Sequence, residues 1–246
     1  MALLLSLETS SHVCSVALHQ NEQLLISKEN KIPQSTASVL APMIESALKE
    51  TNHTAKELSG VVISAGPGSY TGLRIGVATA KGLCYALQIP LISVNTLELL
   101  ARQFISSHHN IEAFHPLSLS RLKAGERIEG EVLLCPMLDA RRMEVYCMLL
   151  NSSLDVVELT QAKIIDHESF SVQLINQPIY FFGDGSDKCK DILTHPNAHF
   201  ISGILPLASS LGEMGYLKWK AFQFEDVSAY EPFYLKDFMI KKPNLI

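Results

Sequence analysis

The strongest chemical signal lies in one run, Ser64-Ala65-Gly66-Pro67-Gly68-Ser69-Tyr70-Thr71-Gly72-Leu73-Arg74-Ile75-Gly76. A short apolar stretch, Gly60 to Ala65, leads into it, and a helical pattern from Thr71 to Leu87 leads out. A strand that passes through a glycine turn into a helix N-terminus points backbone N–H groups outward, which suits anions. The P-loop template fails, because no Gly-Lys-Ser/Thr follows. The dinucleotide fingerprint fails too, because Thr71 stands at the third glycine position. Two readings stand: a weak phosphate cradle, or a tight turn that lets the helix pack close to its sheet. The residues alone favour the second.

Other candidates for chemistry are weaker. Asp139 and Glu144 could form a carboxylate pair for acid–base work, but they are better read as framing a hairpin turn between two strands. His108, His109 and His115 fall in a polar stretch, and adjacent histidines in such a loop rarely converge on a metal. Ser69 has no histidine placed to activate it, so a serine nucleophile is not expected. Five scattered cysteines without a Cys-x-x-Cys pair argue against a disulfide framework or a zinc site. They are expected to be small buried hydrophobes.

The elements that must position these residues can be read from periodicity. Leu3 to Thr9, Cys14 to Gln20 and Gln23 to Asn30 read as three strands, with His12 in the first turn. Val39, Leu40, Met43, Ile44, Ala47 and Leu48 recur at helical spacing, predicting an amphipathic helix from Thr36 to Glu50. Pro42 costs little if it falls in the first turn and kinks the helix if it lies deeper. After Gly60 to Ala65 and the helix to Leu87 come a strand at Leu91 to Val94 and a third helix, capped by Asn95 and running to about Phe104. Three strands followed by alternating helices and strands make half of an actin-like architecture: an α/β, RNase H-like (ASKHA) fold with mixed sheets covered by helices.

Residues 1–105 are expected to form one such domain and 106–246 a second, degenerate one. Ser106 to Gly130 carries no helix or strand pattern and reads as a linker or loop insertion. Strands are expected at Val132 to Asp139, Glu144 to Leu150 and Ile179 to Gly183. A late helix at about Ala208 to Phe224 should pack back near the first domain. No internal sequence repeat survives counting.

Within the second helix, Arg74, Ala78, Lys81 and Tyr85 form one stripe, while Leu73, Val77, Ala80, Cys84 and Leu87 form another that can face the sheet. Gly72, Gly76 and Gly82 each cost roughly 1 kcal/mol relative to alanine in a helix interior, which points to close backbone approach. Whether that approach is to the sheet or to another helix stays open.

Composition bounds the rest. With 47% hydrophobic and 18% charged residues, the chain is that of an ordinary soluble globular protein. No apolar run reaches the length of a membrane helix. Met1 to Glu8 lacks a basic flank and a cleavage site, so it reads as the first strand and not a signal peptide; a cytoplasmic location is expected. The net charge of −5, with basic residues spread out and only pairs at Arg141-Arg142 and Lys241-Lys242, argues against unaided nucleic-acid binding. Contact with RNA should be shared with, or delegated to, a partner.

The run ISAGPGSYTGLRIGVATAKGL, Ile63 to Leu83, resembles the hallmark of the TsaB (YeaZ) family of tRNA threonylcarbamoyladenosine biosynthesis. LSLETS at Leu5 to Ser10, PMLDARRMEVY at Pro136 to Tyr146, Gly183-Asp184-Gly185 and the ending Glu231 to Lys236 match as well. The resemblance implies a two-domain actin-like protein without a working active site, and no cofactor of its own. Glu8 stands where actin-like enzymes use a carboxylate near nucleotide and metal, and its spacing from Ser10 fits; with Gly183 and Gly185 these would be a vestigial nucleotide site, though without the other ligands a structural role for Glu8 is the better reading. The catalytic relative, TsaD, carries a histidine pair one helical turn apart, able to share a metal; Thr96 and Leu100 occupy those positions here. Its late-helix aspartate falls near Ser209 and Ser210. Its Ser-Gly-Gly phosphate turn corresponds to Leu138-Asp139-Ala140-Arg141, where an aspartate would repel phosphate.

By the same resemblance, the chain is expected to be a non-catalytic scaffold and activator that binds a TsaD-like catalytic subunit, with a TsaE-like ATPase completing the assembly. Such chains also pair with themselves, and tRNA is met only through the complex. The implied partner surface lies on the first two helices, with Leu40, Met43, Arg74, Ala78, Lys81 and Tyr85 as its members. The rival functions are a metallopeptidase, which needs the metal ligands that Thr96 and Leu100 deny, and a stand-alone actin-like ATPase, which needs two phosphate turns.

Overall fold

The computed structural model describes residues 1–32, 34–108 and 132–235. Strands β1 (Leu3–Glu8), β2 (Cys14–Gln20), β3 (Gln23–Asn30), β4 (Gly60–Gly66) and β5 (Leu91–Asn95) form a sheet in the order β3-β2-β1-β4-β5. The β1–β2 and β2–β3 pairs are antiparallel, and the β1–β4 and β4–β5 pairs parallel. Strands β6 (Leu133–Asp139), β7 (Glu144–Asn151), β8 (Val156–Ile164), β9 (Ile179–Phe182) and β10 (Ala198–Ile201) form a second sheet, ordered β10-β9-β6-β7-β8. Its first two pairs, β6–β7 and β7–β8, are antiparallel, and β6–β9 and β9–β10 are parallel. Read from β8, the second sheet repeats the first in order and sense. The duplication that no sequence repeat betrays is therefore present in the topology, and it is the α/β, actin-like arrangement expected.

The crossover helices differ between the halves. Helix α1 (Thr36–Glu50) connects β3 to β4, and α2 (Tyr70–Leu87) connects β4 to β5. Leu40, Ile44, Ala47 and Leu48 of α1 are buried, as are Leu73, Val77, Ala80 and Cys84 of α2. Most of these side chains share one core with Leu5, Leu7, Val16 and Ile63. Pro42 lies in the second turn of α1, so the carbonyl of Ser38 loses its intrahelical partner. In the second half the corresponding crossovers shrink to the short helix Ser171–Asn176 and a single 3-10 turn at Asp187–Cys189.

Helix α3 (Thr96–Ser107) joins the two halves, and the short Ser171–Asn176 helix is α4. Asn95 caps α3, accepting from the N–H groups of Leu97 and Glu98. Its Leu97, Leu100, Ala101 and Phe104 share a core cluster with Leu134, Leu138 and Phe182 of the second sheet. Phe104 stacks on Phe182 at 4.3 Å between ring centroids, and full burial of a ring this size stabilises by about 2–3 kcal/mol.

The late helix is shorter than its pattern predicts. Ala208–Ser210 forms a 3-10 turn and α5 covers Leu211–Lys220, ending as Phe222 turns left-handed at φ 55°. As expected, it packs on the first sheet: Gly215 sits against Val62, and Gly212 against the His19 ring. His19 is buried, and its ring meets Ser6 Oγ at 3.3 Å and the Ser209 carbonyl at 3.0 Å. Beyond α5 the chain runs as a strap along the β5 edge and over α2. The Glu225 N–H donates to the Leu91 carbonyl at 2.9 Å, and the Phe233 N–H to the Ala65 carbonyl at 2.7 Å. An edge strand is thereby covered.

Candidate functional site

The glycine run after β4 is explained by its neighbour. A Cβ on Gly68 would come within 2.4 Å of the Ser10 carbonyl, on Gly72 within 2.0 Å of the Thr9 carbonyl, and on Gly76 within 2.3 Å of Thr9 Oγ1. The Ser69 N–H donates to the Ser10 carbonyl at 2.6 Å, and Ser69 Oγ caps α2 by accepting from the Gly72 N–H. These donors serve the fold. Of the two readings of the motif, close packing against the β1–β2 turn is the one the geometry supports.

The second half uses the same device. The turn after β9 carries Gly183 at φ 102°, and a Cβ there would lie 2.2 Å from the Met137 carbonyl; one on Gly185 would lie 2.6 Å from the Leu138 carbonyl carbon. The Gly185 N–H donates to the Met137 carbonyl at 3.1 Å. In both halves, a glycine segment leaving the fourth strand leans on the backbone at the end of the first.

Between these turns lies an acidic floor. Glu8 is fully buried, accepts the Ser10 N–H at 2.6 Å and is hydrogen-bonded by Ser64 Oγ. Burial pushes its carboxyl up to about 7, hydrogen bonds from Ser10 oppose this, and the charge of Asp184 adds to it. Asp184, between the two glycines of the second turn, is itself raised by burial, against the Asp139 N–H at 3.0 Å and His12 at 3.7 Å. The charge of Asp184 reaches Glu8, and His12 pairs with Asp184, so the β1–β2 turn faces the Gly183–Gly185 turn at a junction between the halves. Asp184 and His12 complete that junction, and neither is among the site residues expected from the sequence; an acid between two turn glycines is the available signal.

Thr96 and Leu100 are fully buried, and Leu100 packs in the cluster that joins α3 to the second sheet. Among the described residues, no group of three His, Cys, Asp or Glu side chains could hold a metal ion. His108 stacks on Phe104 at 4.6 Å, while His109, His115, Lys236, Lys241 and Lys242 lie outside the described residues. Asp139 and Glu144 frame the β6–β7 hairpin, with Lys188 bonding the Asp139 carboxylate and, at 2.7 Å, the Glu144 carbonyl. The five cysteines are free and buried.

Helices α1 and α2 lie side by side, but the six candidate contact residues do not form one surface. Leu40, placed on the partner surface by the family resemblance, is 1% exposed and packs in the core of its own chain, so it is not available to a partner. Met43 is half-buried in a groove with Ile32, Val39 and Pro42. Lys81 is spent on its own chain, its ammonium reaching the Ser228 and Tyr230 carbonyls of the strap at 3.1 and 3.0 Å. Arg74 is exposed, bonds Tyr70 Oη at 2.9 Å, and lies over a ring that packs on Tyr234. Ala78 is exposed and Tyr85 is 76% exposed. Two residues outside those six, Gly82, which the sequence marks as a place of close approach, and Ala86, extend this face. Gly82 and Ala86 are exposed one and two turns beyond Ala78, and a Cβ on Gly82 would meet nothing within 4 Å.

Residues 32–121 match the family model described as TsaD, tRNA N6-adenosine threonylcarbamoyltransferase. The chain is 27% identical over 193 residues to the tRNA threonylcarbamoyladenosine biosynthesis protein TsaB of Bacillus subtilis, covering 77% of this chain and 74% of that one. It is 40% identical over 101 residues to the protein of the same name from Buchnera aphidicola of Acyrthosiphon pisum, 41% of this chain. That match spans 45% of the relative's length, and a second Buchnera relative is spanned over 48%. The fold is shared with a Pseudomonas aeruginosa structure described as similar to peptidase YEAZ, at TM-score 0.76 and 22% identity, over 96% of this chain and all of that one. A second P. aeruginosa YeaZ structure gives TM-score 0.74.

Proposed function

From the premise of a chain TsaB-like in its sequence relatives and YeaZ-like in its fold, we propose that it is a non-catalytic subunit in tRNA threonylcarbamoyladenosine biosynthesis. It acts as scaffold and activator for a TsaD-like catalytic partner, with a TsaE-like ATPase completing the assembly and a second copy of itself able to use the same surface. Residues 1–105 and 106–246 serve as its two domains, and it works in the cytoplasm; none of the described helices is long and apolar enough to cross a membrane.

The observation that carries this reading is the outer face of α2. Ala78, Gly82 and Ala86 recur at intervals of four and are exposed beside Tyr85, so they align on one helix face. Gly72 and Gly76 offset their cost by packing on Thr9, whereas a Cβ on Gly82 would meet none of the described residues within 4 Å. A shallow helix face flanked by an exposed tyrosine suits a second helix lying across it, with the aromatic as anchor. The buried Leu100 supports a non-catalytic role, since a hydrocarbon side chain cannot ligate a metal.

The test is co-elution with the TsaD-like protein of the same cell. Gly82→Leu fills the groove at a position with room for a side chain, so the isolated chain should keep or raise its thermal midpoint while losing at least tenfold in partner affinity. Tyr85→Asp should do the same by placing an unpaired charge in the interface. Unchanged co-elution of both variants rejects this face. Modification of tRNA by the isolated chain would reject the subunit role itself.

A further inference from the structure

Arg141 and Arg142 sit at the tip of the β6–β7 hairpin, both exposed and both left-handed, with φ 70° and 49°. Such positions favour glycine or asparagine, so the tip holds two arginines where the backbone does not welcome them. Conformations of this kind persist when the surroundings over-determine them, and they cluster at functional sites. The supports are visible. The Ala140 N–H donates to the Glu144 carbonyl and the Glu144 N–H to the Arg141 carbonyl, each at 3.1 Å. The Arg141 N–H donates to the Asp139 carboxylate at 3.0 Å, and Lys188 clamps the loop from its base.

That clamp has an electrostatic consequence. Asp139, the acid nearest in sequence to Arg141, is already paired with Lys188, and Glu144, the acid nearest to Arg142, is itself engaged. Neither guanidinium has a carboxylate, carbonyl or ring partner among the described residues. Several other cations are engaged: Lys28 with Glu50, Arg102 with Glu213, Lys190 with Asp187 and Lys81 with the strap. A chain of net charge −5 repels a polyanion except where its local sign reverses. Two adjacent guanidiniums on a fixed tip make such a place, and each planar fork can take a phosphate through two parallel hydrogen bonds.

We propose that the Arg141–Arg142 tip contacts RNA phosphates when this chain is assembled with its catalytic partner. The inference rests on the proposed function, and an acidic protein surface is the competing occupant. The test compares wild type with Arg141→Asn/Arg142→Gly, which keeps the left-handed backbone and removes both charges. Each is assembled with the TsaD-like protein and titrated with an unmodified transcript of a tRNA reading A-starting codons, across a range of salt. The isolated variant should melt at the same or a higher temperature, and co-elution with the TsaD-like protein should not change. Transcript binding should weaken about five- to tenfold near 0.1 M salt, with a log–log salt slope shallower by about 1.5. If the double variant does not fold, Arg141→Gln/Arg142→Gln should give the same loss. Wild-type affinity and slope in a folded variant overturn the proposal. Lost co-elution of the variant overturns it too, because the arginines would then meet protein. Failure of the wild-type pair to co-elute would overturn it together with the function on which it rests.

Discussion

Helix α2 has two glycine-bearing faces that look alike in sequence and differ in what they touch. Toward the sheet, Gly72 and Gly76 let the helix settle onto Thr9 at distances no side chain could share. Toward solvent, Gly82 stands between Ala78 and Ala86 over open space. The inner face is consumed by folding, and the glycine turn before α2 is filled by the β1–β2 backbone. The outer face costs the isolated chain stability and returns nothing to it. A glycine in a helix therefore carries meaning only through its neighbours, and an absent neighbour is the informative case.

The comparison is broken most severely on the inner side. Gly72→Ala sets a methyl group 2.0 Å from the Thr9 carbonyl, so backbone must move and the chain should lose about 3 kcal/mol, at the upper end of overpacking costs. Denaturant unfolding checks this, and a loss below about 1 kcal/mol, the lower end of such costs, would mean that α2 does not rest on the β1–β2 turn.

Beneath that contact, Glu8 offers the next largest effect. Its folded carboxyl is raised from 4.5 to about 7, chiefly by burial, so the folded chain holds this proton more tightly than the unfolded one. The stabilisation is complete below pH 4.5 and is lost as pH rises through about 7. Across that window wild type should give up on the order of 3 kcal/mol from this group, while Glu8→Gln, which cannot ionise, should show a flatter profile and a relative gain above neutral pH. Parallel stability–pH curves for the two proteins would contradict a carboxyl held neutral at the junction.

How far sequence reaches into this molecule depends on the range of each interaction. The first sheet and helices α1 to α3 are legible because alternation and helical spacing are local, and their bounds hold to within a few residues. In the second half β8 is not, because this edge strand, Val156–Ile164, has a broken exposure pattern and register shifts against β7. β10 is only Ala198–Ile201, too short to alternate visibly. The site is less legible than the fold. Lys81 looks free in sequence because the carbonyls that hold it lie 147 and 149 residues away. Leu40 is placed on the partner surface by the family resemblance, and periodicity marks an apolar face without saying what covers it. Glu8 falls correctly at the end of β1, but its partner Asp184 lies in the other half, and only the folded chain brings the two acids together.

The smallest effect sharpens the comparison most. Gly82→Ala adds one methyl group where no atom lies within 4 Å, in an exposed helix interior where alanine is favoured over glycine by about 1 kcal/mol. The isolated chain should gain close to that amount. The sign separates the two faces of one helix, since the same substitution at Gly72 is expected to cost stability. A gain at position 82 accompanied by weaker co-elution with the TsaD-like protein would show that the glycine serves an approach from outside the chain. A loss of stability at position 82 would mean that this face is already occupied in the isolated protein, and the outer surface proposed for the partner would have to be sought elsewhere.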